Sequence, residues 1–400
     1  MVQYVANYPL VAYVPFMTVR ERTWTSNGAE KSAWIADYVD QHGKRHIKTF
    51  RTKKEAEAYD SKTHVEVLGR IHVPDANTAT VAEAGKLWLA DCSSALERST
   101  VAQYGQHLNL HIVPFLGKKR LNEITVPTVR HFLDRLKAEG RSDAMVRAVR
   151  VSFGSILSDA QERGLVIRNA VKDMGRAKGR TRAAARHHER VEVGIDIPTT
   201  TEIKAILKAA TGKARIFIMT AIMTGMRASE LRGLRWSDID FKKAEITIRQ
   251  RADAYQDIGS PKSAKGRRVI PLPSDLVKAL QNWKLNCPVS SLGLVFPTGT
   301  GAIEYHGNII KRWYHPPQIE AGVVDADGNA KYSGLHALRH FYASWCINRS
   351  EDGGLGLPAK VVQDRMGHGS ITMTLDVYSH LFERGDDGSA MDNAASAFFD

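Results

Sequence analysis

Apolar and polar residues alternate along two short stretches near the start of the chain. Trp34 to Asp40 and Arg45 to Phe50 follow this two-residue period, and the polar, glycine-containing residues 41–44 lie between them. Such alternation predicts strands, and the short turn joins them into a β-hairpin. Residues 53–68 then place Ala, Tyr and Val at helical spacing. The front of the chain is therefore predicted to be a small sheet with one helix.

The next hundred residues carry apolar side chains at helical spacing. Thr80 can cap a helix whose apolar face lies between residues 81 and 88. Further amphipathic helices are predicted at Ser99 to Leu110, Val126 to Leu136 and Ser142 to Ala160. The pattern predicts a small all-α domain over residues 78–174.

Residues 175–197 form the clearest boundary, because the first part of this segment is poor in apolar residues and rich in basic ones. The segment fits a basic linker that crosses a nucleic-acid backbone, and a passive linker is the alternative. Its four candidate nucleic-acid contacts are Arg176, Lys178, Arg180 and Arg182.

Beyond Pro198 the pattern alternates between helices and short strands. The predicted strands are Ala244 to Ile248, Arg267 to Leu272 and Leu294 to Phe296. The fold class is therefore multidomain α+β. It combines a small β-sheet-plus-helix N-terminal domain, an all-α domain and a mainly α third domain with a small antiparallel sheet. Residues 1–16 are expected to be a disordered extension, and residues 386–400 a short tail.

Charge narrows the class of partner. The 400 residues include 56 Lys and Arg against 43 Asp and Glu, a formal charge of +13. This excess favours a polyanion, and nucleic acid is favoured over a membrane surface because no long apolar run exists. Three scattered cysteines argue for a reducing compartment, and no CxxC pair offers a thiolate zinc site.

The densest candidate chemistry lies between residues 335 and 380. His336 and Arg339 are three apart and share a helix face, and with His340 they are expected along the polar edge of that helix. His368 and Tyr378 follow. Several cationic donors with one phenol suggest a phosphate that is clamped while a tyrosine attacks it. A zinc site at His336 and His340 is an alternative that lacks an evident third ligand other than His368.

A further cation emerges upstream from the end of an apolar helix. Arg227 follows Gly225, and Glu230 can hold its guanidinium from one side. The alternative for this pair alone is a buried structural ion pair. A predicted hairpin loop adds Lys262 or Lys265, and sequence does not settle the register that would choose between them.

Taken together, these motifs resemble those of the tyrosine recombinase (phage integrase) family. The likeness covers the chain from about Thr78 to its end, and more weakly from Trp34. Six residues carry it, in the family's order and each in the expected local setting: Arg227, Lys262, His336, Arg339, His368 and Tyr378.

The resemblance implies an activity and roles for these residues. The activity is DNA strand exchange through a covalent 3′-phosphotyrosine, with no metal, cofactor or external energy. Arg227 and Arg339 would bracket the phosphate oxygens, and Lys262 would protonate the departing 5′-oxygen. His368 would donate a further hydrogen bond, and His336 would accept the Tyr378 proton. Glu230 and His340 are supporting residues.

The resemblance also implies how the domains meet DNA. Residues 17–74 would be an arm-site DNA-binding domain, residues 78–174 a core-binding domain and residues 198–385 the catalytic domain. The implied partners are double-stranded attachment sites, a homotetramer on synapsed DNA, a directionality factor and a host DNA-bending protein, in the bacterial cytoplasm with no membrane. Candidate DNA contacts before the linker are Arg45, Lys48, Arg98, Lys118, Lys119, Arg141, Arg147 and Arg150.

Two other functions are also compatible with these residues. One is a nicking-closing enzyme similar to type IB topoisomerases, which would need no partner duplex. The other is a non-catalytic DNA-binding protein on the same scaffold. Strand exchange between two marked sites separates the first from a recombinase, and a covalent DNA adduct would exclude the second.

Overall fold

The computed structural model describes residues 17–382 except for 28, 70–71, 75–77, 175–190, 262–263 and 351. The chain divides into two compact units, 1–177 and 178–400. The predicted extension 1–16, the tail 386–400 and the four basic linker candidates Arg176, Lys178, Arg180 and Arg182 lie outside the described residues. No helix among the described residues is both long and apolar enough to pass through a membrane.

The first unit begins with a three-stranded antiparallel sheet in the order β1-β2-β3. The predicted hairpin is confirmed as β2 (Ala29–Val39) and β3 (Arg45–Phe50), and β1 (Met17–Ser26) adds an edge strand. Helix α1 (Lys53–Leu68) packs on one face of the sheet and begins at Thr52 with a capping box.

A bundle of helices completes the first unit around one apolar core, which includes Trp88, Phe132 and Phe153. Thr80 caps the first of these helices, as the sequence predicts. Helix α3 continues through a π-helical segment, His107–Ile112, into α4. The helices are α2 (Val81–Ala95), α3 (Arg98–Gln106), α4 (Val113–Leu116), α5 (Val126–Ala138), α6 (Asp143–Glu162) and α7 (Ala170–Asp173).

The second unit is mainly helical and carries a three-stranded antiparallel sheet in the order β4-β5-β8 and a separate hairpin, β6-β7. The strands are β4 (Ile239–Asp240), β5 (Glu245–Ile248), β6 (Arg251–Ala252), β7 (Ile258–Gly259) and β8 (Arg268–Pro271). The helices are α8 (Thr200–Ala209), α9 (Gly212–Thr224), α10 (Ala228–Arg232), α11 (Ser274–Asn286), α12 (His306–Asn308), α13 (His315–Glu320), α14 (His336–Ile347), α15 (Ala359–Met366) and α16 (Ile371–Tyr378).

Two predicted details of this unit are wrong. Leu294 to Phe296 is not a strand, since only an isolated bridge joins Leu294 to Arg235. These three apolar residues are fully buried, and a buried run of this length does not reveal its backbone conformation. Arg339 does not lie on a polar helix edge, because only 3% of its surface is exposed.

Candidate active site

A left-handed turn places Arg227 at the end of α9. Gly225 ends the helix with φ +59°, and a Cβ built there would lie 2.2 Å from the Tyr342 ring, so only glycine fits. Arg227 follows as the N-cap residue of α10. Its side chain is 37% exposed, so one edge of the guanidinium remains open to a ligand.

Three guanidiniums converge on the carboxyl end of α15. Arg268 Nε donates to the carbonyl of Arg365, Arg339 Nη2 to that of Met366 and Arg227 Nη2 to that of Gly367. A helix end leaves its last carbonyls without partners inside the helix and carries partial negative charge. The end of α15 therefore gathers arginines that come from three separate parts of the second unit.

Glu230 holds two of these arginines from the other side. Its two carboxylate oxygens accept hydrogen bonds from Arg227 Nη1 at 3.0 Å and Arg268 Nη2 at 2.8 Å. The Arg227 backbone N–H also donates to Glu230 at 2.9 Å. Burial would raise the pKa of Glu230, but the hydrogen bonds and charges of Arg268 and Arg227 lower it, so the carboxylate is charged. Sequence reasoning found Arg227 and Glu230 but missed Arg268.

Arg339 donates hydrogen bonds to both helix ends that form the site. Its Nη1 donates to the carbonyl of Gly225 at 2.5 Å, while its Nη2 reaches the end of α15. Burial, reinforced by the charges of Arg227 and Arg268, lowers the pKa of Arg339 to about 9. The guanidinium therefore stays charged at neutral pH and would gain from an anion placed beside it.

A cavity of about 250 Å³ opens beside these arginines. Arg227, His336 and Arg339 line it, together with His306, which sequence reasoning did not single out. The volume is several times the roughly 30 Å³ share of one water in the liquid, and two guanidiniums supply forked donors. The cavity is therefore shaped and charged for a small anion such as a phosphate group.

His368 follows the left-handed Gly367 (φ +62°) at the end of α15. Its Nδ1 lies 2.8 Å from Thr374 Oγ1, and burial with the nearby arginine charges lowers the pKa of His368 to about 3. The ring is therefore neutral. If Thr374 donates its hydroxyl hydrogen to Nδ1, Nε2 carries the ring hydrogen and can donate to a ligand.

Tyr378 is the last residue of α16, and its ring packs in a buried cluster with Tyr342, Cys346 and Met366. The phenol oxygen lies 2.6 Å from Nδ1 of His340. Burial raises the pKa of Tyr378, and the charge of Arg339 acts in the opposite direction. The hydroxyl is therefore protonated at rest, within the electrostatic reach of one site arginine.

The structure thus brings five of the six predicted catalytic residues into one region of the second unit. The sixth, Lys262, lies outside the described residues. Its competitor Lys265 is exposed in a short 3₁₀ segment, Ala264–Gly266. The choice between these two lysines stays a prediction.

The candidate DNA contacts of the first unit differ in where they lie. Lys48 faces α1, with its ammonium 4.2 Å from the Tyr59 ring centroid. Arg45 lies on the opposite face of the sheet and, like Arg20, pairs with the buried Asp37. On the helical part, five candidates are exposed and Arg150 is half-buried: the exposed residues are Arg98, Lys118, Lys119, Arg141 and Arg147.

Comparison with known proteins decides the family. A model of the phage integrase family matches residues 198–384, and a model of the phage integrase N-terminal SAM-like domain matches residues 80–137. The chain belongs to the phage integrase family. The first of these ranges covers the arginines, histidines and tyrosine of the candidate active site.

Curated members of the phage integrase family match most of the chain. A "Tyrosine recombinase XerC-like" protein of Caldanaerobacter subterraneus subsp. tengcongensis is 25% identical over 374 residues, which is 86% of this chain and 90% of that protein. An "ICEBs1 integrase" of Bacillus subtilis is 24% identical, over 74% of this chain and 77% of the relative. An "Integrase" of Streptomyces ambofaciens is 25% identical, over 87% and 89%.

Solved integrase structures share the fold. A Tn1549 transposon integrase in complex with circular intermediate DNA aligns with a TM-score of 0.58 and 18% identity, over 80% of this chain and 99% of that one. A lambda integrase dimer bound to a core site aligns with a TM-score of 0.56 and 19% identity, over 91% and 95%. At these identities the likeness establishes the fold.

Proposed function

We propose that this chain is a site-specific DNA recombinase, an integrase that inserts a mobile element into DNA and excises it. The observation that carries the proposal is the convergence of Arg227, Arg339 and Arg268 on the end of α15, next to the helix that presents Tyr378. A clamp of fixed positive charge beside one phenol suits the attack of a tyrosine on a phosphodiester.

The arginines lower the barrier by stabilising charge. A phosphodiester is an anion that repels nucleophiles, and its pentacoordinate transition state carries more charge than the ground state. Arg227 and Arg339 would donate forked hydrogen bonds to the non-bridging oxygens. His368 would add a donor from Nε2. Glu230 and the end of α15 hold the arginines in place before DNA arrives, so little reorganisation is needed during the reaction.

The reaction conserves the energy of the broken bond. Tyr378 attacks phosphorus, the P–O5′ bond breaks, and Lys262 is proposed to protonate the departing 5′-oxygen. The products are a covalent Tyr378–3′-phosphate and a free 5′-hydroxyl. A 5′-hydroxyl from a second duplex can then reverse the step, so strand exchange needs neither ATP nor a cofactor.

The remaining parts of the chain are proposed to hold DNA. The sheet of the first unit would bind arm sites, and its helical part would bind the core site. The relatives include a lambda integrase tetramer bound to a Holliday junction, which supports a homotetramer here. A directionality factor and a host DNA-bending protein are the further proposed partners, in the cytoplasm of a bacterial host.

Strand exchange between two marked duplexes tests this function. The substrates are the two attachment sites of the element that carries the chain, each labelled on one arm. We expect products that join one arm of each duplex. Relaxation of supercoiled plasmid without recombinant products would instead favour the nicking-closing function. A Tyr378→Phe variant, which retains the ring but lacks the nucleophilic oxygen, is the matched control.

A further inference from the structure

The Tyr378 hydroxyl meets a histidine that the predicted catalytic set does not contain. His340 Nδ1 lies 2.6 Å from Tyr378 Oη, a short and strong hydrogen bond. The phenol has one hydrogen to donate, and Nδ1 of a neutral imidazole accepts it when Nε2 carries the ring hydrogen. His340 is therefore in direct contact with the atom that would become bonded to phosphorus.

His336, the residue predicted to accept this proton, lines the cavity beside Arg227 and Arg339, where the phosphate would bind. Its ring meets the His340 ring edge-on, with centroids 4.5 Å apart and an interplanar angle of 85°. The two histidines lie one turn apart on α14. His336 lines the anion cavity, and His340 contacts the phenol.

We propose that His340 orients the Tyr378 hydroxyl and accepts its proton as the bond to phosphorus forms, while His336 contacts the phosphate. This inference rests on the function proposed above. The Oη–H bond breaks as the Oη–P bond forms, and the proton moves to His340 Nδ1. The P–O5′ bond breaks in the same step. In the reverse reaction His340 returns the proton to Tyr378.

The surroundings of His340 keep its imidazole unprotonated at rest, as a proton acceptor requires. Burial, with His336 and Arg339 on the same helix, lowers the pKa of His340 to about 4. Asp196, from the segment before α8, acts in the opposite direction, and Tyr378 faces the ring from α16. His340 is therefore neutral at pH 7. A bound phosphate brings negative charge that favours the imidazolium formed during the reaction.

Two substitutions at one position separate orientation from proton transfer. His340→Leu removes the acceptor, and His340→Asn offers an acceptor oxygen near the place of Nδ1 that cannot hold the proton at neutral pH. The readout is the single-turnover rate of covalent adduct formation on a nicked duplex of the element's own attachment site. In this duplex a sulfur atom replaces the bridging 5′-oxygen of the scissile phosphate. The 5′-sulfur can leave without being protonated, so the rate does not depend on a proton donor.

We expect His340→Leu to lose about 10²- to 10⁴-fold in rate, the usual contribution of a general base. His340→Asn should stay at least about tenfold below wild type, and its rate should rise from pH 7 to pH 9, because free ionisation of Tyr378 must then supply the phenoxide. The wild-type rate should be flat over this range. A His340→Leu variant within about threefold of wild type, or a His340→Asn variant with the wild-type rate and a flat profile, overturns the proposal.

A measurement without DNA distinguishes this inference from the proposed function. Nitrogen NMR of the full chain with ¹⁵N-labelled histidine reports which ring nitrogen carries hydrogen. We expect His340 to be the Nε2–H tautomer, with an Nδ1 resonance that shifts in Tyr378→Phe. An Nδ1–H tautomer, or no shift, overturns the inference whatever the DNA result. If the wild type forms no adduct on its own site while the NMR result holds, the proposed function is the part that fails.

Discussion

At the scale of single residues, one carboxylate organises the positive charge of the site. Glu230 is 2% exposed. Arg268 donates to both of its carboxylate oxygens, and Arg227 Nη1 donates to Oε1. A buried carboxylate is costly to keep charged unless cations and donors surround it. The arginines therefore stabilise Glu230, and Glu230 in turn fixes the direction of Arg227.

Arg268→Met tests this interdependence. Methionine fills much of the volume but leaves Glu230 with one cation, so we expect a loss of about 3–5 kcal/mol in the free energy of unfolding. Urea denaturation at pH 7 measures it. Arg163→Met is the control, because Arg163 pairs with Asp159 and Asp91 at a partly exposed position, and its loss should destabilise the protein far less. Equal losses in the two variants would contradict the account.

The stability difference between wild type and Arg268→Met should depend on pH. The folded-state pKa of Glu230 is lowered, so the stability it contributes is present above the unfolded pKa of roughly 4.3 and is lost as the pH falls through the folded value. The difference between wild type and Arg268→Met should therefore be full at pH 7 and shrink below about pH 4. A difference that grows in acid has the wrong sign.

At the scale of elements, two glycine turns set the site. Gly225 and Gly367 both have positive φ, and they end the helices that lead to Arg227 and His368. Arg339 bonds the carbonyl of Gly225 from inside the core. A shift of either turn would therefore move the catalytic groups as well as the backbone.

Gly225→Ala is predicted to lose both stability and activity. Its positive φ costs alanine about 1–3 kcal/mol, and the clash with Tyr342 adds about 1–3 kcal/mol. Gly140→Ala is a matched control, since Gly140 has φ +79° but open space around it. Urea denaturation should show the larger loss for Gly225→Ala, and adduct assays should show lost activity in that variant alone. Unchanged activity in Gly225→Ala would argue against the turn as a positioning element.

Local signals explain which elements the sequence could predict. The cap at Thr80 is confirmed, because a cap depends on residues only a turn apart. Strand β1 was missed, since most of its residues are exposed on both faces and show no two-residue burial period. The partner of Arg268 lies 38 residues earlier, so no local pattern marks Arg268 as part of the site.

The same limit applies to the two histidines of α14. His336 and His340 are four apart on one helix, and the resemblance gives the Tyr378 proton to His336. Only the packing of α16 against α14 decides that His340 makes the contact. The six-residue set could be assembled because each member sits in a short motif, whereas the division of roles among its members depends on tertiary geometry.

At the scale of the whole molecule, the formal charge of +13 favours DNA binding only where basic side chains are exposed to its phosphates. The sheet of the first unit has two chemically distinct faces. One face packs on α1 and includes Lys48, and the other presents Arg20 and Arg45 on either side of Asp37. Both arginine side chains are more than half exposed, so the outward face is the better surface for phosphates.

Arg45→Ala and Lys48→Ala should therefore differ in DNA binding. We expect Arg45→Ala to weaken binding to the full attachment site and to reduce the slope of log K against log salt by about 1, the loss of one phosphate contact. Lys48→Ala, on the helix-facing side, should leave that slope unchanged. Fluorescence anisotropy titrations at several salt concentrations measure both. The reverse result would show that the helix-facing side meets the DNA.

In the proposed reaction the Tyr378 oxygen becomes bonded to DNA inside the arginine cluster. Trapping on a nicked duplex from the element's own attachment site, followed by proteolysis and mass spectrometry of the nucleotide-linked peptide, tests it most directly. We expect a 3′-phosphate attached to Tyr378, and no adduct from Tyr378→Phe although that variant still binds the duplex. An adduct on a different residue, or one that persists in Tyr378→Phe, would contradict it.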